Sequence, residues 1–255
     1  MKRSFLLVAG GAFAVASVSP IGAADRVELT ALIASNAQHA FTEIIEDYQK
    51  KHPNVSIKPQ WLGGATIAKM VDEGQPADVV MAGSAPLKKE EQLLEPLVSI
   101  LQNKEVILVP KGNPGKVNGL KDLANPGVKL AVGTPSSAVG TIAGQVIQKG
   151  AEDWGFDYVT NVRKNIVVQK EKGSDVLAAV GNEANAAITF ASDVDPSKYQ
   201  TVEIDPKYNV VSTYQIAVVK ASKNAAASRD FATYASGPAG LAVLKKFNYM
   251  PPPPK

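Results

Sequence analysis

The sequence predicts an α/β protein of two lobes, each a mostly parallel sheet flanked by helices. Short apolar runs rich in β-branched residues alternate with segments of helical period, and this alternation is traversed twice along the chain. A length of 255 residues accommodates two such units of roughly a hundred residues each. Strand-helix-strand succession favours parallel strands covered on both faces, with ligands beyond the strands' carboxyl ends and against helix N-termini.

In the first round, residues 27–33 read as an apolar strand. Phe41, Ile44, Ile45 and Tyr48 then recur at helical spacing over residues 40–51, until His52-Pro53-Asn54 stops the helix. Residues 55–61 make a second strand, 66–73 a short helix and 77–82 a third strand, with Gly74 to Pro76 as the turn. The second round places strands at 105–110 and 128–132, a short helix at 120–124, and a helix at 140–149 ending near Gly150. A strand at 166–169, a helix at 174–182 and strands at 186–190, 202–204 and 213–219 follow, and helices at 225–236 and 238–247 close the pattern. Residues 251–254, all proline, form an extended tail. The lobes are assigned to residues 25–108 with 214–255, and to 109–213, with crossings near 108–110 and 213–216 acting as a hinge.

Composition narrows the function classes. The chain is 45% hydrophobic and 20% charged and has no cysteine, so a core of ordinary size must hold it without disulfides. Its 27 basic and 24 acidic residues are interspersed, which leaves no footprint for a nucleic-acid backbone. Lys2 and Arg3, an apolar run over residues 4–18, and Gly22, Ala23 and Ala24 have the layout of a secretory signal peptide, residues 1–24, cleaved after Ala24. That run is too short to cross a bilayer, so a soluble protein exported to the periplasm is expected.

Catalytic signatures are missing. Only His39 and His52 are present, no His or carboxylate cluster has metal-ligand spacing, and phosphate-loop, dinucleotide and nucleophile-elbow motifs are absent from the sequence. His39 reads as a surface or helix-cap residue and His52 as a turn residue. No enzyme activity, cofactor or protein-bound cation is expected.

Hydroxyls and glycines instead recur at strand-to-helix junctions: Ser35 and Asn36, then Gly63-Gly64-Ala65-Thr66, then Ser136 to Thr141 with Val139 and Gly140 between them. A helix N-terminus carries unpaired N–H groups and about half a positive charge, so several converging junctions can hold an anion without Lys or Arg. Each one alone also fits plain helix capping.

At these residues the chain resembles the molybdate-binding proteins of ABC importers, which have the two-lobed type II periplasmic-binding-protein fold. The resemblance rests on Ala34-Ser35, Gly74-Gln75-Pro76-Ala77-Asp78-Val79, Ala131-Val132-Gly133-Thr134-Pro135 and Ala191-Ser192-Asp193. It implies a tetrahedral dianion, molybdate or tungstate, held between the lobes by backbone N–H groups and neutral hydroxyls. A monomer that delivers the anion to a membrane permease is implied as well. Carried over by position, the contacts fall on Ser35, the Val139 loop and Val176. Asp78 fits either a loop-fixing turn residue or a ligand contact, and Tyr214 either a buried hinge aromatic or a cleft residue.

Two positions depart from the family pattern: Gly64 stands where the family has Ser, with Thr66 as a possible substitute, and Phe190 stands where it has Tyr. A hydrogen bond to a charged group contributes roughly 1.5–3 kcal/mol, so losing two weakens binding about a hundredfold or more. A different small solute, such as an organic anion packed on Phe190 or another oxyanion, is therefore the alternative ligand.

Overall fold

The computed structural model describes residues 26–254; the expected signal peptide and its cleavage point at Ala24 lie outside the described residues. The first sheet is built from β1 (Val27–Ala34), β2 (Val55–Leu62), β3 (Val79–Gly83), β4 (Val98–Asn103) and β10 (Ser212–Val218), in the order β2-β1-β3-β10-β4. The second contains β5 (Glu105–Pro110), β6 (Leu130–Gly133), β7 (Ile166–Lys170), β8 (Ala186–Phe190) and β9 (Tyr199–Glu203), in the order β7-β6-β8-β5-β9. The sheets are mixed. In each, one strand runs against the others: β10 is antiparallel to β3 and β4, and β5 to β8 and β9.

Helices cover both faces because their apolar residues recur every three or four positions. Phe41, Ile44 and Tyr48 of α1 (Gln38–Lys51) meet Phe231 of α6 (Ala225–Ser236) and Leu244 of α7 (Pro238–Lys246) on one face of the first sheet. Ile67 and Val71 of α2 (Gly64–Asp72) fill the other face with Leu87 of α3 (Ser84–Lys89) and Leu94. In the second lobe, Val146, Ile147, Val159 and Val162 of α4 (Ala138–Asn165) lie over Ile107, Leu130 and Ile188. Val176 and Leu177 of α5 (Gly173–Ala179) close the opposite face. Each fully buried large side chain contributes about 1.5–3 kcal/mol through apolar burial.

Several boundaries differ from the sequence expectation. The first crossing is Lys104, the single residue between β4 and β5, and not residues 108–110, which lie inside the second sheet. The return crossing spans residues 204–211, and residues 213–216 are the interior of β10. The helix expected to end at Gly150 continues to Asn165. A Cβ at Gly150 would come within 2.5 Å of the Tyr158 ring, so this glycine permits close packing and ends nothing. The break falls at Gly155, whose φ of 73° a side chain would disfavour. Strand β4 and helix α3 were not foreseen, and residues 120–124 form a 3₁₀ turn.

Asp78 fixes the loop before β3. One carboxylate oxygen accepts from the Thr30 amide at 2.8 Å and the other from the Ser222 hydroxyl at 2.6 Å, while the Asp78 amide donates to the Thr30 carbonyl at 2.8 Å. It stands at the amino end of β3, opposite the carboxyl edge where α1 and α2 begin, which settles its role as structural. Asp78→Ala strands the Thr30 amide, so about 2–3 kcal/mol of stability is lost, read as a lower urea midpoint.

Candidate functional site

Parallel pairing brings the strand-to-helix junctions together in twos. Ala34 and Leu62 are register partners at the carboxyl ends of β1 and β2, so Ser35 and Asn36 lie beside Gly63 and Gly64. Gly133 and Lys170 are partners at the ends of β6 and β7, and the Thr134 amide continues the pairing to Lys170 at 2.9 Å, so the turn into α4 lies beside the start of α5. Phe190 ends the neighbouring β8 and is buried.

The donors at each junction follow from where helical bonding begins. Gln38 makes the first backbone bond at Ser35–Asn36–Ala37, to the Ser35 carbonyl, and Ile67 makes the first in α2, to Gly63 at 3.0 Å. The amides of Ser35 and Asn36, and those of Gly64, Ala65 and Thr66, precede those bonds and stand at helix starts without a capping side chain. Ser35, Ala65 and Thr66 are exposed. Gly64 lies against α3: a Cβ there would approach the Pro86 ring to 3.2 Å, so a side chain would need that ring to give by a few tenths of an ångström.

In the second lobe two expected donors are already engaged. The Gly140 amide donates to the Ser137 hydroxyl at 3.1 Å, and the Val176 amide to the Lys172 carbonyl at 3.2 Å. The first-turn amides left without such bonds are those of Ala138 and Val139 in α4, and of Gly173 and Ser174 in α5. Gly140 is needed for packing, because a Cβ would lie 2.0 Å from the Thr134 carbonyl oxygen. Val139 buries its side chain and can offer only its amide, while Val176, equally buried and with its amide already bonded, brings no donor of its own.

A polar network joins the lobes near Lys104. Asn36 donates to the Tyr214 hydroxyl at 2.7 Å, and the Tyr249 hydroxyl donates to the Asn36 carbonyl at 2.6 Å. Asn103 of β4 donates to Ser192, which follows β8, at 2.9 Å. Tyr214 is thus the buried support of the Ser35 loop; burial pushes its phenol up to about 12, while the Asn36 amide acts in the opposite sense.

Two carboxyls beside this network escaped sequence reasoning, since single acidic residues carry no spacing signal. Burial pushes Asp193 up to about 6, partly offset by the Ser192 hydroxyl. Its Oδ2 lies 2.6 Å from where a Cβ on Gly173 would stand. Glu105, fully buried, is raised well above the usual carboxylate range by burial and then by Asp193. His39 is exposed in the first turn of α1, and His52 caps that helix, stacked on Tyr48 with ring centroids 4.1 Å apart.

With this geometry in hand, residues 29–249 match the profile of a family described as bacterial extracellular solute-binding proteins. The chain belongs to that family. A molybdate-binding protein of Mycobacterium tuberculosis is 27% identical over 254 residues, covering 96% of this chain and 93% of the relative. The substrate-binding domain assigned to a molybdenum ABC transporter of Clostridium difficile superposes with a TM-score of 0.72 at 27% identity, over 88% of this chain and 99% of that one. A sulfate-binding protein of M. tuberculosis superposes with a TM-score of 0.73 at 16% identity, over 88% and 87% of the two chains, a likeness of fold alone. As a member of the solute-binding family the chain is a binding protein and not an enzyme.

Removing the Ser137 hydroxyl frees the Gly140 amide and deletes a helix cap. Ser137→Ala therefore lowers stability by about 1 kcal/mol in denaturant unfolding. Gly140→Ala, which forces the turn and helix apart, costs more in the same measurement.

Proposed function

We propose that this solute-binding protein captures a small tetrahedral oxyanion, molybdate or tungstate, between its lobes and delivers it to the membrane permease of an ABC importer. The observation that supports this reading is the pairing of helix starts at the carboxyl edge of each sheet. Four junctions present main-chain N–H groups, and an exposed serine and threonine add hydroxyls in the first lobe. Neutral donors of this kind hold an anion through local dipoles, with no need for a counter-ion. Its molybdate-binding relatives favour the same class of ligand.

In this reading Ser35, Asn36, Gly64, Ala65 and Thr66 grip from the first lobe. The Val139 and α5 starts grip from the second, with the ring of Phe190 as a wall. An anion that bridges both lobes binds the closed arrangement more tightly than the open one, so capture shifts the population toward closure. The permease then reads the closed form. The protein acts as a monomer in the periplasm after cleavage behind Ala24. Phe190, which brings no hydroxyl, favours a second reading in which the solute is another oxyanion or a small organic anion.

Calorimetric titration of the mature chain with molybdate, tungstate and sulfate tests the ligand. Tight binding of the first two is expected, weakened about tenfold or more in Ser35→Ala. Silence toward all three removes the oxyanion reading. Intact-mass measurement of the exported chain checks the leader: a mature N-terminus at Asp25 is expected.

A further inference from the structure

We infer that Glu105 and Asp193 form a proton-linked latch at the lobe crossing, so that closure on an anion takes up a proton and is favoured in acid. The inference deepens the capture mechanism above and rests on it. Glu105 is the first residue after the crossing. It is fully buried, and neither of its carboxylate oxygens has a hydrogen-bond partner. A charged carboxylate held so would cost several kcal/mol, so this group is neutral when surrounded as it is here.

Its surroundings come from both lobes. The main chain of Glu105 is clamped by Asn209 of the return crossing, whose side-chain amide donates to the Glu105 carbonyl at 2.8 Å and accepts from its amide at 3.2 Å. Phe190 is its register partner across β8, and Asp193 lies beyond the same strand. Tyr214, on β10 of the first lobe, is near enough for the charges of Asp193 and Glu105 to raise its phenol, and the charge of Asp193 raises the Tyr249 phenol as well. The cations nearby are engaged elsewhere: Lys104 pairs with Glu203, and the Lys149 ammonium of α4 donates to the Asn209 carbonyl at 2.9 Å. No ammonium or guanidinium bonds to either acid among the described residues.

Swinging the lobes apart about Lys104 withdraws Tyr214 and its neighbours from one side of this pair and hydrates it. Glu105 then returns toward the ordinary carboxylate range, near 4.3. The closed form therefore binds the proton more tightly than the open form. Linkage fixes the sign: the advantage of closure is complete below the open-state value and is lost as pH rises through the higher closed-state value. A dianion arriving beside Asp193 raises both acids further, because a negative neighbour disfavours the charged form. Two carboxyls that act on each other's charge titrate as a pair, in macroscopic steps.

Two readouts test the latch. The first is calorimetric affinity for molybdate between about pH 5.5 and 8.5, where that anion stays fully ionised, in two buffers of different ionisation enthalpy. Affinity should fall with rising pH, by up to about tenfold per unit for one coupled proton, with matching proton uptake. The slope should shrink in Glu105→Gln and vanish in Glu105→Gln with Asp193→Asn. A flat wild-type profile, or an unchanged slope in the double variant, overturns the latch while leaving anion capture standing.

The second readout needs no ligand. The chain lacks cysteine, so dyes on Lys69→Cys and Gln145→Cys report the distance between lobes. That distance should lengthen as pH rises in the wild type, lengthen less in Glu105→Gln, which keeps the neutral shape, and in Glu105→Leu, which keeps the burial, and stay short in Glu105→Gln with Asp193→Asn. An invariant wild-type distance overturns the latch. If no oxyanion binds at any pH, the ligand reading fails and this distance still decides the latch.

Discussion

The chain passes from one sheet to the other through a single residue, Lys104, and everything else in the arrangement depends on that economy. Strands β4 and β5 are nearly continuous, one in each sheet, so the second lobe cannot turn freely against the first. The carboxyl edges, where all four helix starts lie, are thereby held near the crossing. The return through residues 204–211 adds a second tie, and Asn209 clamps it to the first by bonding both main-chain groups of Glu105. Two chain segments tied side by side in this way restrict how one lobe can move against the other.

Local chemistry explains why the proposed site is made of main chain. Each junction begins a helix whose first amides have no carbonyl to bond, and only Ser137 supplies a capping side chain. The remaining amides are left for solvent or ligand. Crowding keeps a side chain off Gly140, where a Cβ would meet the Thr134 and Gly133 carbonyls, and leaves only a tight fit beside Pro86 at Gly64. Hydroxyls survive at Ser35 and Thr66, where the structure is open.

Much of the fold was legible because apolar period is a local property. The strands Glu105–Pro110 and Ala186–Phe190 and the helix Ala225–Ser236 were read to the residue, since turn residues bound each of them. The helix Ser84–Lys89 was missed because a Pro and two Lys in six residues leave little apolar pattern. The strand Val98–Asn103 was missed because its alternation is short and ends in polar residues that belong to the crossing. The hinge was misplaced for a related reason: residues 105–110 look the same in either sheet, and only pairing with Phe190 and Glu203 assigns them. At the site, the junctions and their hydroxyls were visible as residue types. That Gly140 and Val176 had already used their amides follows from where each helix begins, three and four residues upstream, which residue types alone did not locate; that the charge of Asp193 reaches Glu105 depends on packing across the fold that sequence spacing does not encode.

The Tyr249 hydroxyl on the Asn36 carbonyl has a consequence for biogenesis. Strand β1 comes first among the described elements, yet the loop that follows it is braced by the Tyr249 ring 213 residues further along the chain, and its sheet requires β10 as well. A chain threaded outward from its amino end would therefore finish its second lobe while the first was still in pieces. The loop after β1 would be the last element braced, and a polypeptide stalled before Tyr249 would emerge with its first lobe unfinished.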